Sequence, residues 1–362
     1  MLEQLLHHAS PLTSLVLLLA FFAVRKILNG VLRARKIRAL GGYAPTRRSY
    51  LPLSLDFIYT AVRHAMAHRN LEFWTDDLLR NGHPSNPYTV DATVGGQRII
   101  FTADPENIKA ILATQFADYG KGREFNEVWH DFLGDSIFTT DGPKWHDSRQ
   151  LIRPQFVKDR LSDLEVFERH VGPLMAQLGG HGQTVDVADL FFRYTLDAAT
   201  DFLLGRSVDS LVNPQAKFAD AFGEVQRVQA LIARTGPLHW IVPRGSFRRG
   251  LKVINEFVNP FIEQTLRLSP EELEMRTKSD EGYTFLHALA AYTRDRTVLR
   301  DQLVAVLLAG RDTTASTLSW LFYELARHPH VVRKLRQEVM EVVGSNRLPT
   351  YAHLKSMRYL QV

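Results

Sequence analysis

The chain opens on an apolar run. Leu15–Val24 carries no polar side chain, and the run extends through Pro11–Ser14 on one side and Ile27–Leu32 on the other, interrupted by Arg25 and Lys26. The uninterrupted stretch is short for a spanning helix, but its extensions reach the needed length and the two long cations can snorkel to an interface. Glu3, His7 and His8 precede the run, whereas Lys26, Arg33, Arg35, Lys36 and Arg38 lie at its end or follow it. A cleaved signal peptide has the opposite order, so the pattern predicts an uncleaved signal anchor with the rest of the chain on the cytosolic side. An amphipathic helix lying on the membrane or packed in a core is the alternative. Gly41–Ser54, with Pro45 and Pro52, reads as a linker.

Leu55–Leu79 has helical periodicity, closed by Gly82, Pro84, Asn86 and Pro87. Tyr88–Thr93 and Arg98–Thr102 alternate with β-branched residues around Gly95-Gly96, which predicts a β-hairpin. Asp104-Pro105-Glu106 is a helix start, with a cap, a proline in the first turn and an acid beside it. From there nearly everything is helix-patterned, with Thr184–Val187 as the main candidate for another short strand and one long helix from Leu299 to His328. The fold class is mainly α with a small β lobe. The expected division is an anchor with flanks at 1–32, a basic, proline-containing linker at 33–54, and a body at 55–362 whose β lobe covers 80–103 and whose helical part covers 104–362.

Composition narrows the chemistry. With 362 residues, 45% of them hydrophobic, the chain can bury a large core. The net charge of +5 and pI near 9.3 come from a surplus concentrated after the apolar run rather than interleaved with aromatics, which argues against nucleic acid as a partner. The absence of cysteine excludes a disulfide framework, a thiolate metal site and a cysteine nucleophile.

Two segments carry candidate chemistry. Ala309-Gly310-Arg311-Asp312-Thr313-Thr314 puts an acid and threonines in the middle of the long helix, where both compete with the backbone for hydrogen bonds. Thr313 can bond back to the carbonyl of Ala309 or Gly310. That predicts a bend or opening, hence a local groove for dioxygen or water with proton donors beside it. Trp145 and Arg149, four residues apart, share a helix face and can present an indole N–H and a guanidinium to a carboxylate. His64 and His68 have i, i+4 spacing on a predicted helix, but no third ligand completes a metal motif. The segment Pro237–Pro243 is aromatic and proline-rich, and it reads either as a membrane-facing loop or as an ordinary packed one.

With Asp104–Phe116, Gly134–Gly142 and Leu321–Pro329, these motifs together resemble the microsomal cytochromes P450, most closely the fungal group that hydroxylates n-alkanes and fatty acids. The resemblance implies a P450-like fold, a haem b (heme b) cofactor, and NADPH-derived electrons from an NADPH–cytochrome reductase. It also implies monooxygenation of an apolar small molecule at the endoplasmic reticulum membrane. On it Asp312 and Thr313 are the catalytic residues. Ala309, Gly310 and Thr314 line the haem, and Trp145 and Arg149 hold a propionate, the guanidinium more strongly. Lys144, Arg153, Lys158 and Arg160 fall near the reductase-docking face, or on an ordinary solvated one, and Pro237–Pro243 corresponds to a loop that dips toward the bilayer.

The family places a Glu-x-x-Arg helix and a Phe-x-x-Gly-x-Arg-x-Cys-x-Gly loop downstream of the point corresponding to Tyr359–Val362. Neither is present downstream of that point. Glu324 and Arg327 spell Glu-x-x-Arg at the end of the long helix instead. The fold is therefore expected to be C-terminally incomplete and, without an axial thiolate, inactive as given. A non-catalytic, membrane-anchored binding or scaffold protein is the alternative, and a histidine-ligated haem protein a third.

Overall fold

The structure, a computed structural model, describes residues 11–156, 164–180, 182–213, 217–278 and 284–361. It divides into two compact units, one ending at Tyr119 and the other starting at Gly120. In the first unit α1 (Pro11–Ala39) is exposed along its described length apart from the half-buried Ala34 and Ile37, and Thr13–Ala39 is long and apolar enough to cross a membrane. It outlasts the expected boundary at residue 32.

The single helix expected over Leu55–Leu79 is two, α2 (Leu55–Met66) and α3 (Asn70–Asn81). The break is a closure of the helix end: Arg69 N–H donates to His64 O at 2.8 Å and His68 turns left-handed at φ 57°. His64 and His68 therefore do not share a helix face, and His64 Nδ1 faces Thr60 O at 2.8 Å. The hairpin forms as predicted, with β1 (Thr89–Val94) antiparallel to β2 (Gln97–Thr102) and Val94 opposite Gln97. Gly95 and Gly96, at φ 58° and 85°, supply the two positive φ angles that a tight type I′ turn requires. Phe57 stacks on Phe101 of the hairpin and Trp74 packs against it at a tilt, joining helices to sheet. The linker is partly folded into this lobe, since Asp91 N–H donates to Pro45 O and Arg47 N–H to Asp91 O, both at 2.8 Å. Asp104 caps α4 (Pro105–Lys109) by accepting from the Glu106 and Asn107 amides, as its position in the sequence predicts.

The second unit is helical: α5 (Arg123–Leu133), α6 (Gly142–Ile152), α7 (Glu165–Gln177), α8 (Val187–Leu204), α9 (Lys217–Arg234), α10 (Gly245–Leu266), α11 (Pro270–Lys278), α12 (Phe285–Tyr292), α13 (Arg296–Arg327), α14 (Pro329–Val342) and α15 (Tyr351–Ser356). Thr184–Val187 is not a strand. Asp186 accepts from the Ala188 and Asp189 amides and starts α8 at Val187, so a helix cap overrides the β-branched residues around it. Phe132, Leu196, Phe222, Phe247, Ile254 and Leu303 centre the core. α13 crosses this core and then leaves it: Leu299 and Asp301–Leu307 are buried, while Gly310, Thr313, Thr314 and Thr317 are exposed. The acid–threonine motif thus stands at the edge of the core.

Candidate functional site

The site is built around α13. Thr313 Oγ1 donates to Ala309 O at 2.7 Å, the predicted back-bond. The expected bend does not follow, because α13 runs unbroken from Arg296 to Arg327. The hydroxyl is held within one helical turn while the ladder stays intact. Gly310, Thr313, Thr314 and Thr317 recur at helical spacing and form one exposed, small-residue face. Gly310 lies beside α8, where an added Cβ would stand 3.7 Å from the Ala199 Cβ, an ordinary contact. Ala309 is half-buried at the rim.

Asp312 points elsewhere. Its carboxylate accepts from Gln226 Nε2 of α9 and lies 3.4 Å from the Arg311 guanidinium. The same Gln226 amide accepts from Arg311 Nη1 at 2.7 Å, so one amide bridges the cation and the acid. The Arg311 side chain is only 12% exposed and lies over the rings of Phe192 and Phe222. Burial pushes the Asp312 carboxyl above the usual range, against the pull of Arg311 and the Gln226 donor. Burial likewise lowers Arg311, opposed by Asp312 and Asp189. Asp312 and Thr313, adjacent in sequence, are therefore not brought together, the acid facing α9 and the hydroxyl the open face.

α6 supplies the second part. The Arg149 guanidinium lies 5.4 Å from the centre of the Trp145 ring, so the predicted shared face is real; Trp145 is half-buried and Arg149 exposed. No acidic side chain pairs with Arg149 among the described residues. α6 is docked on α13 through Gln302 Nε2, which donates to Ser148 Oγ at 3.1 Å between buried side chains. That tie lies two turns before Gly310, about 12 Å along the helix axis.

The turn before α6, Gly134–Thr140, closes on itself and on α13. Thr139 Oγ1 donates to Gly134 O at 2.6 Å and Thr140 Oγ1 to Ser136 O at 2.8 Å. Asp135 N–H donates to Asp301 Oδ2 at 2.9 Å, and Arg300 Nη1 lies 3.1 Å from the same carboxylate. Burial pushes the Asp301 carboxyl up, although those two donors pull the other way. Gln302 Oε1 and Arg311 Nε are buried without a hydrogen-bond partner.

Other sequence candidates fall outside this arrangement. Glu324 and Arg327 form an exposed pair at 3.5 Å at the end of α13. Lys144 is engaged with Asp135 at 2.9 Å, Arg153 is exposed, and Lys158 and Arg160 lie outside the described residues. No group of three metal-ligating side chains occurs among the described residues. Trp240 is 71% exposed and Ile241 54% on the short helical turn Gly236–Ile241. Gln226, Ser148, Asp301 and Gln302 were not singled out from the sequence. No local signal marks Gln226, whose role depends on a residue 86 positions away.

A sequence profile described as Cytochrome P450 matches residues 88–362. The chain is 49% identical over 364 residues to cytochrome P450 monooxygenase pvhE of Talaromyces variabilis, covering 96% of this chain and 66% of the relative. It is 37% identical to cytochrome P450 52A1 of Candida tropicalis over 348 residues, 91% of this chain and 63% of that one. To cytochrome P450 52A4 of Candida maltosa it is 40% identical over 303 residues, 78% and 55% respectively. The chain thus spans between half and two thirds of the length of these relatives. With the profile match covering residues 88–362 and a relative 49% identical over 96% of the chain, the chain belongs to the cytochrome P450 family.

Proposed function

We propose that these 362 residues form the distal and propionate sides of the haem site of a membrane-bound monooxygenase that hydroxylates long-chain alkanes or fatty acids. The observation that carries the reading is the exposed Gly310–Thr313–Thr314 face, continuous with a buried helix and bearing a back-bonded hydroxyl. Two features of the residues fit haem. The Arg149 guanidinium, stacked on Trp145 and unpaired with any acid among the described residues, suits a propionate carboxylate. The small side chains along the α13 face suit a flat ring, with Ala309, Gly310, Thr313 and Thr314 lining it. The iron's proximal thiolate is not among these residues, since the sequence contains no cysteine, so the 362 residues alone are inactive.

Haem with a thiolate ligand supplies oxygen activation. The chain's own residues hold and move protons around it. Thr313 Oγ1 commits its proton to Ala309 O, which leaves its lone pairs free to accept a hydrogen bond from a small polar molecule on the open face. Asp312, raised by burial, takes up a proton more readily than an exposed aspartate and can pass it on once its contact with Gln226 loosens. Leu303, Val304 and Leu307, buried just before the motif, exclude water from one side. Exposed Trp240 and Ile241 support a membrane-facing loop, and α1 supports a single-pass anchor with the body in the cytosol at the endoplasmic reticulum, where a reductase delivers electrons from NADPH.

A chimera joining this chain to the C-terminal segment of cytochrome P450 52A1, assayed with reductase, NADPH and either an n-alkane or a fatty acid, tests the reading. Terminal or near-terminal alcohol is the expected product; a folded, haem-loaded chimera that oxidises neither substrate refutes the substrate class. The non-catalytic reading draws on the exposed Trp320, Leu321 and Tyr323 of α13, an apolar row suited to a partner. Product formation that falls when Thr313 is replaced by alanine decides against it.

A further inference from the structure

The second half of α1 has a structure of its own. Phe22, Arg25, Lys26, Asn29, Gly30 and Arg33 line a groove of about 570 Å³ on the surface of this one helix. Phe22, Lys26, Asn29, Gly30 and Arg33 recur at helical spacing on one face. Gly30 is the floor: nothing lies within 4 Å of where its Cβ would be, so the backbone is open to approach between a cation one turn before and another one turn after. Arg25, Lys26 and Arg33 make no ion pair with a described residue, and no aspartate or glutamate occurs between Glu3 and Asp56. Exposed Ile27, Leu28, Val31 and Leu32 continue the apolar surface past the first two cations.

We propose that this notch binds the phosphate of an anionic phospholipid headgroup. The inference rests on α1 being a membrane anchor, and it is independent of the haem site. Gly30 stands about 26 Å along the helix axis from Thr13, which places the notch near the far boundary of a ~30 Å hydrocarbon layer, at the depth of headgroup phosphates. Lys26 and Arg33 supply charge from above and below, Asn29 a neutral donor, and Gly30 the close approach. Phe22, one turn before Lys26 and so deeper in the hydrocarbon layer, offers acyl chains an apolar contact that a free phosphate ion cannot use. Charge complementarity therefore selects an anionic lipid over a zwitterionic one, and the apolar flank selects a lipid over a soluble anion.

The test uses the full chain in phosphatidylcholine nanodiscs containing a minority of phosphatidylserine, with native mass spectrometry counting the lipids retained on the released protein. The parent is expected to retain phosphatidylserine in preference to phosphatidylcholine. K26Q/R33Q should lower that preference about tenfold. G30L, which keeps every charge but fills the notch, should lower it comparably. R35Q/R38Q removes as much charge from the far side of the helix and should leave the preference within about twofold of the parent. An equal loss in the two double variants, an unchanged G30L, or displacement of phosphatidylserine by inorganic phosphate overturns the site. A chain that floats with phosphatidylcholine vesicles but shows no lipid preference overturns the site alone. One that does not float overturns the anchor and the site with it.

Discussion

Replacing Gly134 with alanine tests how the Trp145–Arg149 helix is fixed to α13. Gly134 has φ 54° and ψ −148°, a combination that L side chains avoid. A Cβ there would stand 1.9 Å from both Cγ and Oδ2 of Asp301, whose residue is 4% exposed and fixed by the Asp135 amide at 2.9 Å and by Arg300 at 3.1 Å. An ordinary contact needs the carboxylate to retreat by more than an ångström, and the core around α13 leaves it nowhere to go without losing those donors. The backbone conformation costs about 1–2 kcal/mol, and leaving buried partners unsatisfied about 1–3 kcal/mol. The sum is about 3 kcal/mol. Urea-dependent pulse proteolysis of the full chain in detergent measures it. If the clash is the cause, Gly134→Ala in an Asp301→Ala background should cost only the backbone part, about 1–2 kcal/mol. A single variant within about 0.5 kcal/mol of the parent, or the same penalty in both backgrounds, refutes the reasoning.

Two further outcomes follow from the same geometry. Burial places the folded-state pKa of Asp312 above that of the unfolded chain, so its contribution to stability is fully present in acid and is lost as pH rises through the folded-state value. The urea midpoint of D312N relative to the parent should therefore rise between about pH 4 and about pH 7.5; a constant or falling difference contradicts the raised pKa. E324A should change stability by no more than about 0.5 kcal/mol, because the Glu324–Arg327 pair is solvent-exposed and one turn apart. A loss of several kcal/mol in the same unfolding assay would show that this pair has the structural weight its Glu-x-x-Arg spelling suggests.

Local rules made much of the fold legible. The hairpin and the Asp104 cap depend on neighbouring residues alone, and the structure places them where the sequence does. The break between α2 and α3 was not legible, because apolar periodicity continues across it and the left-handed His68 carries no glycine or proline signal. Thr184–Val187 misled because β-branched residues suggest a strand, while Asp186 decides for a helix cap. At the candidate site the pairing of Trp145 with Arg149 and the Thr313 back-bond follow from spacing within one helix. The direction of Asp312 does not. It is set by Gln226 on α9 and by Arg311, itself held over Phe192 of α8 and Phe222 of α9, contacts that no one-dimensional pattern records. The continuous α13 also shows that a back-bonded threonine beside a glycine need not open a helix when the turns before it are locked in a core.

The central claim is that α13 and α6 form two sides of one haem site. The most direct measurement is the absorbance spectrum of the ferrous carbonyl adduct of the chimera with the C-terminal segment of cytochrome P450 52A1, taken for the parent and for R149A. The account predicts the red-shifted Soret band of a thiolate-ligated haem in the parent chimera and reduced haem retention in R149A at equal folded protein. A folded chimera that gives no such band, or an R149A variant that retains haem as the parent does, contradicts it.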